Sequence, residues 1–145
     1  MVNIRLAKAS DACKLAELVW VFVGDEFCSS AEYIQNYLQN HRDIILVAEH
    51  ENMLVGYCAG RISRHMSFKD PIADVVELFL AEEYRGKGIG KKLLAKMEAE
   101  LLKHGANRIR ILVREGNEHA RKFYSACGYE EYNMVMCRKN CVVTR

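Results

Sequence analysis

The chain has 145 residues, of which 50% are hydrophobic and 28% charged, so it suits one globular domain and is not wholly disordered. Twenty-one Lys and Arg against nineteen Asp and Glu give a formal net charge of +2, which does not support a phosphate-rich partner such as a nucleic acid. Without a signal-peptide core or an apolar run of roughly 20 residues, we expect one cytoplasmic domain over residues 1–145 that has no membrane partner.

One strand and two helices are predicted in the first part of the chain. Residues 3–6 alternate between polar and apolar side chains, as in a short strand. Apolar side chains over residues 12–22 recur with the helical period, and Ser10 or Asp11 is a suitable N-cap. The segment 29–32 fits a capping box, which predicts a second helix after it.

The middle of the chain is predicted to be rich in strands. Two apolar segments, 44–48 and 53–62, enclose the polar residues 50–52, a pattern that predicts a hairpin. Residues 64–71 are predicted as a loop. A further strand over residues 75–80 then leads into a glycine-rich turn.

The last part alternates helices and strands. A helical period begins at Gly88, and Gly105 is a plausible C-cap. A strand over residues 109–113 and a helix over residues 117–127 follow, and the tail from Tyr129 is predicted to add one or two strands. The predicted order is β-α-α-β-β-β-α-β-α-β, with room for a last strand.

The six cysteines do not indicate disulfides or a metal site. A chain of this size and apolar content holds its core without disulfides. There is no Cys-x-x-Cys, and the pair Cys137 and Cys141 has no nearby histidine to complete a zinc pattern. We therefore expect reduced cysteines and no bound metal.

The turn after Leu80 is the most informative segment. Its glycines in Arg85-Gly86-Lys87-Gly88-Ile89-Gly90 let the backbone approach a ligand closely, and a helix then begins with unpaired N–H groups. Phosphate is favoured at such a helix N-terminus, and the side chains of Arg85, Lys87 and Lys91 add positive charge. The spacing matches neither a dinucleotide fingerprint nor a P-loop. A flexible surface turn is the alternative interpretation.

Two blocks resemble the GNAT superfamily of acyl-CoA-dependent N-acetyltransferases. Residues 85–90 match its Arg/Gln-x-x-Gly-x-Gly/Ala signature in full. Residues 117–129 are similar to its Asn-x-x-Ala-x-x-Phe-Tyr-x-x-x-Gly-Phe segment, with Tyr129 in the final place. The opening residues 4–7 also resemble the start of the family. This resemblance covers essentially the whole chain and implies an α/β fold with a mixed, splayed sheet of six to seven strands, flanked by about four helices.

The resemblance also implies where acetyl-CoA binds. A V-shaped cleft is expected between the strands that end at Leu80 and Val113, with the pyrophosphate on backbone amides of the glycine turn. The Leu80 amide would polarise the thioester carbonyl. Asn117 matches a position that contacts the pantetheine arm, although an N-cap role is an equal alternative. The residues implied in cofactor binding are Leu80, Arg85, Gly86, Lys87, Gly88, Ile89, Gly90, Lys91 and Asn117.

Tyr124 and Glu77 are the candidate catalytic residues. The family places a tyrosine at the position of Tyr124, whose phenol would protonate the leaving thiolate; a core aromatic on one stripe with Ala120 and Cys127 is the alternative. Glu77 would take a proton from the amine, directly or through water. Some family members use the preceding position instead, which here is Val76, and Glu77 is alternatively a solvent-facing strand residue.

The resemblance implies transfer of an acetyl group to a primary amine by direct attack in a ternary complex. It also implies a small-molecule or peptide amine as the acceptor and allows a homodimer, which is common in the family. A non-catalytic acyl-CoA-binding sensor or interaction module of the same fold is the alternative. An ATP-binding regulatory domain is disfavoured, because the P-loop arrangement and a Walker-type acidic strand end are missing.

Overall fold

The computed structural model describes residues 1–142, and the chain divides into two compact units. The first is Met1–Leu112 and the second begins at Val113. Within the described residues, no helix is both long enough and apolar enough to cross a membrane.

The first unit is built on one five-stranded mixed sheet. Its strands are β1 (Asn3–Leu6), β2 (Ile44–His50), β3 (Met53–Ser63), β4 (Ile72–Leu80) and β5 (Ile109–Ile111). They lie in the order β1-β2-β3-β4-β5, and every pair is antiparallel except the parallel pair of β4 and β5. The turn between β2 and β3 places Glu51 and Asn52 at positive φ, as in the short turns that join twisted antiparallel strands.

The described residues form four α-helices, three in the first unit and one in the second. They are α1 (Ala12–Val23), α2 (Ala31–Asn40), α3 (Ile89–Lys103) and α4 (Glu118–Ala126). Short 3-10 turns lie at Ala9–Asp11 and Glu82–Tyr84. The predicted α/β class with about four helices is confirmed, and the described residues form five strands rather than six or seven.

The two faces of the sheet have different partners. Val47, Tyr57 and Phe79 share one face because they are register partners across β2, β3 and β4, and this face packs in one cluster with apolar residues of α1 and α2. Cys58 and Gly60 point to the opposite face, which α3 covers. A Cβ atom on Gly60 would lie 2.4 Å from the Met97 sulfur, so glycine permits the close approach of α3.

Two of the predicted helix caps differ in the structure. Asp11 precedes α1, but its carboxylate makes no cap bond to that helix. It accepts from the Lys8 amide at 2.7 Å, at the start of the 3-10 turn, and from the Arg5 guanidinium. Ser30, not Ser29, caps α2, and its hydroxyl accepts from the amide of Tyr33 at 3.1 Å. The predicted capping box is therefore wrong, because a box that starts at Ser30 needs Glu or Gln at position 33, which is Tyr33.

The strand bounds also shift at two places. β4 begins at Ile72, ahead of the predicted start at Val75, because its first residues pair with both β3 and β5. β5 ends at Ile111 instead of residue 113, where its pairing with β4 stops. α3 ends at Lys103 with His104 as its C-cap, so the C-cap predicted at Gly105 is off by one residue; Gly105 follows with φ at 90°.

The predicted strands of the tail are not found in residues 129–142. The amide of Met134 donates to the Tyr132 carbonyl at 3.0 Å, so the chain bends locally where an extended strand was expected. Apolar, β-prone residues favour a strand only when a neighbouring strand takes up their backbone groups. Positions 143–145 of this tail lie outside the described residues.

Candidate active site

The phosphate turn, which we define as residues 81–88, joins β4 to α3. It begins with the 3-10 turn at Glu82–Tyr84 and ends at Gly88, the N-cap of α3. Gly86 and Gly88 have φ values of 74° and 82°, and residues that carry a Cβ atom adopt such positive φ values only at a cost in conformational energy. Among residues 1–142, no atom outside the turn lies within 4 Å of a Cβ placed on either glycine, so this part of the backbone is open to a ligand.

The beginning of α3 offers donors at the end of the phosphate turn. The first helical bond runs from the Lys92 amide to the Gly88 carbonyl at 3.2 Å, which leaves the amides of Ile89, Gly90 and Lys91 without a partner inside the helix. The side chain of Lys91 is exposed next to them. This arrangement favours an anion, because unpaired N–H groups and the helix dipole act in the same direction.

Arg85 is engaged within the protein. Its Nε donates to the Leu80 carbonyl at 2.7 Å, and its guanidinium lies 5.6 Å from the centre of the Phe79 ring. Its own amide donates to the Glu82 carbonyl at 3.1 Å. Arg85 therefore ties the phosphate turn to the end of β4, and the unpaired amides of the site begin after it.

The peptide groups of Leu80 face away from β3. The amide of Ala81 bonds the Val55 carbonyl at 2.8 Å, and because bonded and non-bonded pairs alternate in an antiparallel ladder, the pair of Leu80 and Gly56 is a non-bonded one. The amide of Leu80 thus points to the β5 side of β4, beyond Val75, where the pairing of these strands ends. Such an amide can donate to a ligand.

A β-bulge in β4 lies directly before the candidate base, Glu77. The register runs from Glu77 opposite Ala59 directly to Val75 opposite Gly60, so Val76 is the extra residue of β4. The carboxylate of Glu77 is half-buried, and its Oε1 accepts from the phenol of Tyr57 at 3.1 Å. Of the two positions predicted for the base, this one carries a carboxylate on the face shared with α1 and α2.

The second unit holds the two remaining predicted residues. Asn117 is the N-cap of α4, and its Oδ1 accepts from the amide of Ala120 at 3.1 Å. Tyr124 is half-buried in α4, and its ring lies 5.2 Å from that of Phe123 and 5.9 Å from that of Tyr129, measured between ring centres. The N-cap role of Asn117 is confirmed, which leaves its contact with the pantetheine arm as a prediction.

Tyr57, which contacts the candidate base Glu77, was not predicted as a site residue from the sequence. It lies within an apolar run of β3, where its residue type alone suggests a core aromatic. The register of β3 against β4 is what brings its hydroxyl to Glu77. The sequence could have indicated this contact only if the second strand of the predicted hairpin had been paired, in register, with the strand that follows it.

A separate cleft of about 280 Å³ lies at the other end of the sheet, where β2 begins and α3 ends. It contains none of the predicted cofactor or catalytic residues. One wall is formed by Tyr37, whose phenol donates to Asp43, and Arg61 makes a bidentate contact with the same carboxylate.

Relatives of the chain are found by sequence. The model of the Acetyltransferase (GNAT) family matches residues 12–129. An uncharacterized N-acetyltransferase of Bacillus subtilis is 27% identical over 135 residues, which cover 90% of this chain and 91% of that protein. Another, from Chlorobaculum tepidum, is 27% identical over 128 residues, which cover 88% of this chain and 75% of that protein.

Solved structures share the fold. An aminoglycoside acetyltransferase from an uncultured soil metagenomic sample superimposes with a TM-score of 0.83 at 20% identity, over 97% of this chain and 96% of that one. An aminoglycoside N-acetyltransferase in complex with CoA gives a TM-score of 0.84 at 17% identity, over the same shares of the two chains.

The family match includes the phosphate turn and the segment that carries Asn117 and Tyr124. It spans far more than half of the chain. The protein therefore belongs to the GNAT family of acetyltransferases and is an acyltransferase.

Proposed function

We propose that the protein transfers an acetyl group from acetyl-CoA to a primary amine, which attacks directly in a ternary complex. The observation that carries this proposal is the end of β4, where the Leu80 amide leaves the sheet ladder and the phosphate turn leads into the unpaired amides of α3. These donors suit a thioester carbonyl and a pyrophosphate respectively.

The binding of acyl-CoA is assigned to backbone more than to side chains. The amides from Gly86 to Lys91 hold the pyrophosphate, and Lys87 and Lys91 add positive charge. Arg85 shapes the turn through its bond to Leu80. The side-chain NH₂ group of Asn117, which its cap bond does not use, donates to the pantetheine arm.

The chemistry divides between Glu77, Leu80 and Tyr124. Acetyl-CoA supplies a thioester, whose carbonyl carbon forms a bond to the amine nitrogen while its bond to sulfur breaks. Glu77 takes a proton from the ammonium, directly or through water, and the Leu80 amide faces the negative charge that develops on the carbonyl oxygen. Tyr124 gives its proton to the sulfur and regains one through solvent when the nitrogen loses its second proton. The products are an amide, CoA thiol and one proton.

An amine acceptor is supported by the relatives. Those of Bacillus subtilis and Chlorobaculum tepidum are named N-acetyltransferases. One structural neighbour is an aminoglycoside acetyltransferase in complex with sisomicin.

Release of CoA thiol tests the proposal. The protein is incubated with acetyl-CoA and a panel of polyamines, aminoglycosides, amino acids and peptides, and at least one amine should raise the release well above the rate with acetyl-CoA alone. Acetyl-CoA, but not ATP, should also raise the melting temperature. Binding without turnover on any amine would favour the non-catalytic acyl-CoA-binding module instead.

A further inference from the structure

The phenol of Tyr57 is directed at Glu77 by the sheet itself. Tyr57 lies opposite Phe79 in the register of β3 and β4, and Glu77 comes two residues before Phe79 on the same face. The phenol reaches along this diagonal and donates to the Glu77 Oε1 at 3.1 Å.

The ring of Tyr57 is fixed by its packing. Only 4% of the residue is exposed, and it belongs to the core cluster that α1 and α2 form with the sheet. The ring of Phe22 lies edge-on at 6.4 Å and that of Phe79 is tilted at 6.2 Å, both measured between ring centres. Because the ring cannot leave this site without opening the core, the position of its hydroxyl is fixed as well.

The phenol remains a donor at every working pH. Burial, and then the nearby Glu77 carboxylate, raise the pKa of Tyr57 far above its usual range. Tyr57 is therefore no base itself. Its hydrogen bond engages one oxygen of Glu77, and in the described part of the chain the other oxygen has no protein partner.

We propose that Tyr57 is a positioning residue for Glu77, which holds one carboxylate oxygen so that the other faces the acceptor amine. The proposal rests on the proposed function, because it requires Glu77 to be the base. General bases act only within hydrogen-bond reach of the proton that they remove, so a carboxylate free to rotate spends less time in the productive position.

A double-mutant cycle tests this role. Steady-state rates on the best amine of the panel are measured for the wild type, Tyr57→Phe, Glu77→Gln and the double variant. We expect Tyr57→Phe to lower kcat roughly tenfold with an unchanged KM for acetyl-CoA, since the loss is in positioning and not in cofactor binding. In the Glu77→Gln background the same change should cost nothing further, because no base is left to position.

The pH profile gives a second measurement. The loss in Tyr57→Phe should shrink as the pH approaches the amine pKa of about 10, where the acceptor needs no base. A purely structural defect would persist there. Glu77→Asp, which keeps the charge but withdraws the carboxylate from the phenol, should also lower kcat without any change in the core.

Tyr37→Phe is the matched control. It likewise removes a phenol that donates to a carboxylate, Asp43, but at the other end of the sheet, so kcat should keep its wild-type value. If Glu77→Gln is slow while Tyr57→Phe keeps the wild-type kcat, or costs as much in both backgrounds, the positioning role is overturned and the proposed base stands. Wild-type rates in Glu77→Gln would overturn the base assignment, and the role of Tyr57 with it.

Discussion

Asp11 is a single carboxylate that connects the first strand to the first helix. It is 5% exposed and accepts from the Arg5 guanidinium at 2.8 and 2.9 Å and from the Lys8 amide at 2.7 Å. Glu49 of β2 contacts the same guanidinium at 3.0 Å. The bond from Arg5 is the main reason that the pKa of Asp11 is lowered, and the amide of Lys8 adds to this effect.

Asp11→Asn should lower the free energy of unfolding by an amount that depends on pH. A carboxyl group whose pKa is lowered by folding contributes stability above its unfolded value of about 4, and this contribution is lost as the pH falls through the folded value. We expect a loss of about 2 kcal/mol at pH 7, the range of hydrogen bonds to charged groups. Urea unfolding at pH 7 and at successively lower pH measures it. The difference should begin to shrink below about pH 4 and disappear below the lowered pKa of the folded state, and a difference independent of pH would contradict the assignment.

Tyr124 separates the catalytic from the packing interpretation. Phenylalanine keeps the ring beside Phe123 and Tyr129 but removes the hydroxyl. If the hydroxyl protonates the leaving thiolate, Tyr124→Phe should lower kcat at saturating acetyl-CoA by roughly 10²-fold or more, with little change in KM. Steady-state kinetics on the best acceptor measure this loss.

Tyr132→Phe serves as the control for Tyr124→Phe. Its ring belongs to the exposed tail, so loss of its hydroxyl should leave kcat unchanged. Should Tyr124→Phe turn over at the wild-type rate, Tyr124 would be a packing residue and the acyl-CoA-binding module would become the stronger interpretation.

At the scale of elements, the phosphate turn and α3 were predictable from local chemistry. Glycines at positive φ and a helix start leave a direct trace in the sequence, as Gly86 and Gly88 show. The bulge at Val76 leaves none, because an extra residue is defined only by the register of β4 against β3. The contact between Tyr57 and Glu77 depends on the same register, so local sequence patterns could not predict it.

The ends of elements were harder to predict for a related reason. Asp11 has the residue type of a helix cap, yet a charged partner, Arg5, takes its carboxylate. Local preference names the candidates for a cap, and tertiary contacts decide among them. The tail from Tyr129 shows the same limit for strands, since residues 129–142 have no strand pairing despite their apolar content.

Gly88→Glu tests the phosphate turn as a unit. The side chain would extend from an open position at the start of α3 and bring a negative charge to the expected pyrophosphate site. We expect loss of measurable acetyl-CoA binding by isothermal titration in a protein that remains folded. Gly88→Ala is the matched control, since it carries the same backbone cost at φ 82°, roughly 1–2 kcal/mol, without the charge.

The acetyl-CoA affinity of the two Gly88 variants distinguishes the effect of a charged side chain at the pyrophosphate site from the effect of backbone strain in the turn. Gly88→Ala should melt as early as Gly88→Glu while keeping part of its affinity for acetyl-CoA. Equal loss in both would indicate that the conformation of the turn matters and the charge does not. A folded Gly88→Glu with wild-type affinity would remove the phosphate turn from the cofactor site.

At the scale of the whole molecule, the order of chemical events depends on whether the protein itself carries the acetyl group. Cys58 lies on β3, and β4 contains no cysteine. Cys58 is fully buried on the face that α3 covers, opposite to the face of Glu77. Burial, and then the carboxylates of Glu77 and Glu98, raise the pKa of Cys58 to about 12. A buried thiol that stays protonated is a poor nucleophile, so this cysteine is unsuited to accept the acetyl group.

The direct attack that we propose predicts sequential kinetics. Initial rates measured over a grid of acetyl-CoA and amine concentrations should give intersecting lines in double-reciprocal plots, because both substrates must be bound before the first product leaves. An acetyl-enzyme would instead give the parallel lines of a ping-pong reaction. Mass spectrometry of the intact protein after incubation with acetyl-CoA alone supplies an independent measurement, in which no acetyl adduct should accumulate. Parallel lines together with an adduct that a cysteine substitution abolishes would replace the ternary complex by a covalent route.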